Sequence, residues 1–404
     1  MNLPKQHLRA TDLLGLSRLA IDATTGVTDI VEAMHHQIVR LPGTAHDGAT
    51  GRTSGITGMV YRSVRGVTRL VGSGLDSVLG ALAPAFKDQG SSNTRESVLA
   101  ALNGVCGDYL AASGNSLAIP MQFRQHGVPL KPNRADLQHA LPEAGGKILL
   151  LAHGLCMNDL QWQSGATDFG TALAQAFGYT PVYLHYNTGL HISSNGRALS
   201  LGLDRLIENW PVPVESLTIL AHSMGGLVAR SACHYGAANR WRGLLRDLVF
   251  LGAPHLGAPL ERAGNGINMF LARAPYAAPL ARLGNIRSAG ITDLRHGYVL
   301  DEHWLGSDRF ASAHVPEDGL ALPDGVRCYA IAASKSAKSS SGRKPTSDGL
   351  VGTNSALGRH ASPLRSLKFP TNRQWLAYGT NHFELITKAE IHQRVKDWLT
   401  PVHL

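Results

Sequence analysis

The segment Leu217 to Arg230, LTILAHSMGGLVAR, sets an apolar run, a serine among small residues and a helix-patterned run one after another. A serine hydroxyl is a weak nucleophile unless the backbone presents it and a base takes its proton. Presentation of that kind uses a sharp strand-to-helix turn, in which the residues two positions either side of the serine must be small or the backbones collide. Ser223 meets the condition through Ala221, Gly225 and Gly226, with Ala221 standing where the commonest form of this turn has glycine. The plainer alternative is a serine that caps an ordinary helix. The strand pattern before it, the helix pattern after it and the small residues around it favour the nucleophile. The chemistry would be attack on an acyl carbonyl through an acyl-serine intermediate.

A nucleophile of this type needs a base and an acid, and on a strand-to-helix turn their chain order is serine, acid, histidine. His382, in YGTNHFELI, follows an expected final strand and precedes the last expected helix, so its ring would hang over the strand ends beside Ser223. Its neutral imidazole would take the serine proton and return it to the leaving group. His360 is the runner-up because it too follows the acid segment, while His222, adjacent to the nucleophile, points elsewhere on such a turn. Asp348, in SDGLVG, lies beyond an expected strand and would orient the histidine. Asp318 and Asp324 also sit in Asp-Gly pairs, but they precede that strand and belong at its amino end. An Asp-Gly turn with no chemical role is the alternative for Asp348. Met224, first residue of the expected helix, would offer its backbone amide to the oxyanion of a tetrahedral intermediate.

These residues need a scaffold that brings strand ends together. From about Lys147 onward, short apolar runs alternate with helical patterns: strands are expected at 147–152, 181–185, 217–221, 248–252 and 326–333, and helices at 159–177, 195–209, 224–238 and 388–399. That alternation implies a mostly parallel sheet covered by helices on both faces, with function gathered at the carboxyl ends of the strands. Residues 258–320 form a long insertion between two strands, carrying Met269, Phe270, Leu271, Tyr276, Leu280 and Leu283. It reads as a helical cap lining an apolar pocket, or equally as an insertion packed in the ordinary way.

Before residue 145 the pattern is helical, with apolar residues at steps of three, four or seven from Leu13 to Leu41 and a second amphipathic stretch at 59–86. The expected organisation is a helical N-terminal region, 1–145, and a catalytic domain, 146–404. The favoured reading of the N-terminal region is a layer packed on the catalytic domain or on its own copy. The rival is an interfacial anchor on a membrane surface, since Arg62, Arg65 and Arg69 flank the second apolar face. A Ser/Lys-rich tract at 334–344 reads as a loop.

Composition narrows the function classes. A chain of 404 residues that is 44% hydrophobic and 17% charged can bury a large core. Its net charge of +9 is spread without a Lys/Arg run interleaved with aromatics, so no nucleic-acid partner is expected. The cysteines, 106, 156, 233 and 328, lie far apart and read as reduced thiols. No secretory signal and no run of about twenty uncharged apolar residues occurs, which predicts a cytoplasmic protein, with peripheral membrane association as the alternative. No H-E-x-x-H, Walker loop or zinc-type cysteine set is present, so neither a metal nor another cofactor is expected.

On the elbow AHSMGG, the segment LLLAHGLCMND at 149–159 and LVFLGAPHLGAPLE at 248–261, residues 147–404 resemble the α/β-hydrolases. More narrowly they resemble bacterial triacylglycerol lipases and PGAP1-like esterases. The resemblance implies an α/β-hydrolase fold and hydrolysis of carboxylic esters with lipid-like or apolar acyl groups. It implies that Leu155 joins Met224 in donating to the oxyanion, that His153 braces the loop and that Gly154 permits close backbone approach. It also implies that the SDGLVG segment is the acid loop. Two rivals keep different claims: an acyltransferase with the same triad, and a membrane-binding or assembly protein whose hydrolase domain is only a scaffold.

Overall fold

The computed structural model describes residues 11–22 except 13 and 16, then 93–164, 167–258, 288–306, 319–337 and 346–400. Two compact units divide the chain: Met1–Arg95 with Leu110–Ala118, and Glu96–Tyr109 with Ile119–Leu404. In the first, Arg95 forms a bidentate pair with Asp12 at 2.6 Å, and Asn115 donates to the Gly15 carbonyl at 3.0 Å. The expected helical faces at 23–41 and 59–86 lie outside the described residues.

The second unit is built on one sheet. Its strands are β1 (Gln122–Gln125), β2 (Val128–Pro129), β3 (Lys147–Ala152), β6 (Thr180–His185), β7 (Ser216–His222), β8 (Leu245–Leu251), β9 (Arg327–Ser334) and β10 (Gln374–Tyr378). The pairs β4 (Gln163–Ser164) and β5 (Thr167–Asp168) form a separate small hairpin. The main sheet runs β10-β9-β8-β7-β3-β6-β1-β2, parallel from β10 to β6 and antiparallel at β1 and β2. This is the expected α/β-hydrolase fold.

The helices are α1 (Asn93–Ala112), α2 (Arg134–Ala140), α3 (Phe169–Phe177), α4 (Ile192–Glu208), α5 (Met224–Tyr235), α6 (Arg240–Leu244), α7 (Ala289–His296), α8 (Thr353–Ala356) and α9 (Ala389–Leu399). From β3 the chain crosses one way to β6 through α3, then back past β3 to β7 through α4, and onward to β8 through α5. Because parallel crossovers are right-handed, reversal of direction sends α3 to one face and α4 and α5 to the other. Helices on both faces explain why β3, KILLLA, has no polar residue after Lys147: Ile148 to Ala152 are all fully buried.

Two elements differ from the sequence reading. The sheet begins before residue 145, since β1 and β2 form a hairpin whose turn is His126-Gly127, both at positive φ (49° and 76°). Strands of four and two residues are too short to leave a period, so only that turn could have revealed them. The helix expected at 159–177 starts at Phe169 instead, because the Asp168 carboxylate caps it by accepting the Thr171 amide at 2.8 Å. The insertion at 258–320 is described only at its ends, where α7 is helical, and its six apolar residues named above lie outside the described residues. No helix among the described residues is long and apolar enough to cross a membrane.

Candidate active site

The reversal of strand order falls between β3 and β7, and in such sheets this is where loops part and leave a crevice at the carboxyl ends. The register Ala152↔Ala221 makes those ends level, so the loop after β3 and the turn after β7 emerge side by side. Ser223 occupies that turn with φ 53° and ψ −124°, a left-handed backbone that costs a non-glycine residue strain energy. Its amide donates to the Leu251 carbonyl of β8 at 2.9 Å, and its carbonyl accepts the Gly226 amide at 3.0 Å. The small residues are needed here. A Cβ on Gly225 would lie 2.6 Å from the Ala152 carbonyl oxygen, and one on Gly226 would lie 2.6 Å from the Ala253 methyl.

His382 and Asp348 meet directly. The Nδ1 of His382 lies 2.7 Å from Asp348 Oδ2, and the His382 amide donates to the Asp348 carbonyl at 3.2 Å. The other carboxylate oxygen accepts the amides of Leu350 and Val351 at 2.9 and 2.8 Å, so the acid is aimed from both sides and fully buried. With Asp348 accepting from Nδ1, the lone pair of the neutral ring is on Nε2. Asn381 and Glu384 form a capping box around the same residue, fixing the start of the short helix His382–Ile386.

The ring lies over the β8 end: a Cβ on Gly252 would come within 3.2 Å of it. Gly252 directly follows Leu251, the acceptor of the Ser223 amide. The ring of His222 stands 4.7 Å from that of His382, centroid to centroid, and its Nε2 donates to the His382 carbonyl at 3.0 Å. The neighbour of the serine thus holds the backbone of the histidine, a role the sequence reading missed. Its only signal is a histidine beside the serine.

The loop after β3 closes on the same point. A Cβ on Gly154 would stand 2.9 Å from the Ser223 Cβ, so only glycine lets this backbone approach Ser223. The Met157 amide donates to the Gly154 carbonyl at 3.2 Å, forming a turn in which Cys156 takes a positive φ of 56°. The amides of Leu155 and Met224 have no acceptor among the described residues. His153 is fully buried, its ring stacked on Tyr186 at 4.5 Å, and the Tyr186 hydroxyl donates to the His153 carbonyl at 2.9 Å. Burial pushes the His153 pKa down to about 3, so the ring is a neutral brace. Burial also pushes the Cys156 thiol up to about 12, which makes it inert as a nucleophile. All four cysteines are buried and unpaired.

His360 and Asp324 have other surroundings. His360 accepts the Ser362 amide at Nδ1 (3.0 Å) and sits 3.2 Å from Arg365 at Nε2. Asp324 is exposed at the amino end of β9, and Asp318 is outside the described residues. Among the described residues, Glu96, Asp159 and His185 form a set with metal-ligand spacing, their ligand atoms within 4.8 Å. Arg124 binds both carboxylates there, at 2.8 and 3.2 Å, and supplies the positive charge that a cation would bring. The cluster reads as a buried ion pair behind the loop.

Residues 143–316 match the family model described as a PGAP1-like alpha/beta domain. Among solved structures the chain is similar to the mature form of a lipase from Bacillus licheniformis, with 17% identity, 63% of this chain and 91% of that one covered, and a TM-score of 0.40. An esterase from Pyrococcus furiosus gives 15% identity, 64% and 82% coverage and a TM-score of 0.40. Lipase 1 from Pelosinus fermentans gives 12% identity, 64% and 100% coverage and a TM-score of 0.37. A search of the curated proteins finds no match.

Proposed function

We propose, with the PGAP1-like alpha/beta domain at 143–316 as premise, that this chain is a serine hydrolase of carboxylic esters with lipid-like or apolar acyl groups. The observation that carries the reading is Ser223 at φ 53° on the turn between β7 and α5, beside a buried His382–Asp348 pair 2.7 Å apart. In this reading His382 Nε2 takes the hydroxyl proton as Ser223 attacks the ester carbonyl. Asp348 holds the tautomer and stabilises the imidazolium. The amides of Leu155 and Met224 receive the oxyanion, His382 protonates the leaving alcohol, and water repeats the sequence to release the acid. Every proton in the cycle starts and ends on a group already present, so no metal or cofactor enters the proposed steps.

Turnover of p-nitrophenyl esters of increasing chain length tests the reading. Hydrolysis that rises with acyl length supports an apolar ester substrate, and no turnover at any length refutes it. An acyltransferase with the same triad would form ester or thioester in preference to acid when an alcohol or thiol is supplied, so measuring both products in one assay separates the two. For residues 1–145 we keep the two proposals of packing or self-association and of membrane-surface contact. Co-sedimentation of the full chain with anionic vesicles distinguishes them.

A further inference from the structure

Seven residues beyond the nucleophile, α5 carries Arg230, which is 2% exposed. A buried guanidinium ordinarily faces a carboxylate, because a charge taken from water must be repaid by an opposite one. Arg230 has none. Its Nη1 lies 3.5 Å from His255 Nδ1, its Nη2 donates to the Leu320 carbonyl, and its Nε–H is buried with no acceptor among the described residues. Burial lowers its pKa to about 10, which leaves it charged at neutral pH.

Arg230 lines a cavity of about 30 Å³ together with His255, His296, His303 and Arg365, and among the described residues no lining residue is acidic. The imidazoles are set as donors. His255 faces a guanidinium N–H through Nδ1, and His303 accepts the Val299 amide at Nδ1 (3.1 Å), so each neutral ring carries its proton on Nε2. The Nε2 of His255 is likewise buried without an acceptor among the described residues. A space of this size takes two or three inward-facing oxygens of one acidic group, and because the cavity is open the rest of the group can lie at its mouth.

We propose that this cavity binds a small oxyanion, a carboxylate or phosphate group, held by Arg230 and Arg365 with the N–H groups of His255 and His303 around it. Paired cations with neutral imidazole donors, and no carboxylate among the described lining residues, suit an anion and repel a metal ion. The anion has two possible sources: a free ion, or an acid group carried by the ester.

The test uses the full chain. Calorimetric titration with inorganic phosphate and with acetate, at constant ionic strength, is expected to show saturable binding at one site. Arg365→Ala, at the cavity rim, should weaken it roughly 10- to 100-fold, and Arg230→Met should abolish it. Ser223→Ala should bind as the wild type does, so failure of this proposal is separable from failure of the hydrolase reading. The source is then read from p-nitrophenyl hemiesters of a dicarboxylic acid against p-nitrophenyl butyrate. A KM for the hemiester raised about tenfold by Arg365→Ala, with the neutral ester unchanged, assigns the acid group to the substrate. Equal behaviour of both esters with intact phosphate binding assigns a free ion. Should wild type show neither saturable anion binding nor an Arg365-dependent preference for the hemiester, the cavity holds only water and the proposal is overturned. Anion binding unaltered by Arg365→Ala overturns it equally and keeps the test valid if Arg230→Met does not fold.

Discussion

An imidazole serves as a base toward a hydroxyl only in the tautomer whose free nitrogen faces it, and here that tautomer is set by one carboxylate. Asp348 spends one oxygen on His382 and the other on two backbone amides, so it can neither turn away nor accept from the wrong side. Asp348→Asn should therefore lower kcat by about 10⁴ while leaving KM within a few-fold, because the amide stabilises the wrong tautomer. Steady-state kinetics on a soluble ester checks this, and a small loss in kcat would contradict the assignment. At this scale the sequence is informative about residues whose neighbours in the chain are also their neighbours in space. Ser223 can be read from Ala221, Gly225 and Gly226, and Asp348 from its Asp-Gly turn. The choice of His382 over His360 depends on chain order alone, and nothing in the sequence shows that His360 is engaged with Ser362 and Arg365.

At the scale of elements, two glycines with similar crowding should fail in different ways. A methyl on Gly154 meets the Cβ of Ser223, and a methyl on Gly225 meets the carbonyl of Ala152 in the neighbouring strand. Gly154→Ala should displace the loop that carries the Leu155 amide, lowering kcat by about 10²-fold with little change in melting temperature. Gly225→Ala should instead cost about 1–3 kcal/mol of stability, seen in denaturant unfolding, because backbone must move to admit it. Equal effects of both on rate and stability would contradict this division. The central strands and their following helices are legible because two-sided burial leaves unbroken apolar runs. The hairpin Gln122–Pro129 is not, because an edge pair of strands this short has neither run nor alternation. The helix after residue 159 is over-read because its apolar pattern runs through a 3₁₀ turn, Asp159–Trp162, and the β4–β5 pair before the helix starts at the Asp168 cap.

For the whole molecule, the titration of buried histidines sets the acid limit. His153 is held to about 3, and His255 well below its ordinary value, both chiefly by burial. These rings stay neutral in the folded protein but take up protons in the unfolded chain below about pH 6.5. The unfolded state then binds more protons, so their contribution to stability is full above pH 6.5 and is lost as pH falls toward 3. His153 alone accounts for about 1.4 kcal/mol per pH unit within that window. The melting temperature should fall from pH 6.5 to 4, and His153→Gln should flatten the slope by close to one proton. An unchanged slope would show that the ring is solvated. The assembly around Arg230 could not be read from the sequence, since its lining residues come from separate segments between 230 and 367 that share no period or spacing. A contact of that kind exists only once the sheet has placed its loops.

The central claim is that Ser223 is an activated nucleophile served by His382. Its most direct test is intact-mass and peptide analysis after treatment with a fluorophosphonate, on wild type, Ser223→Ala and His382→Ala. One adduct on the peptide containing Ser223, absent from Ser223→Ala and strongly slowed in His382→Ala, is the predicted result. An unlabelled wild type, or an adduct that persists in Ser223→Ala, would contradict it.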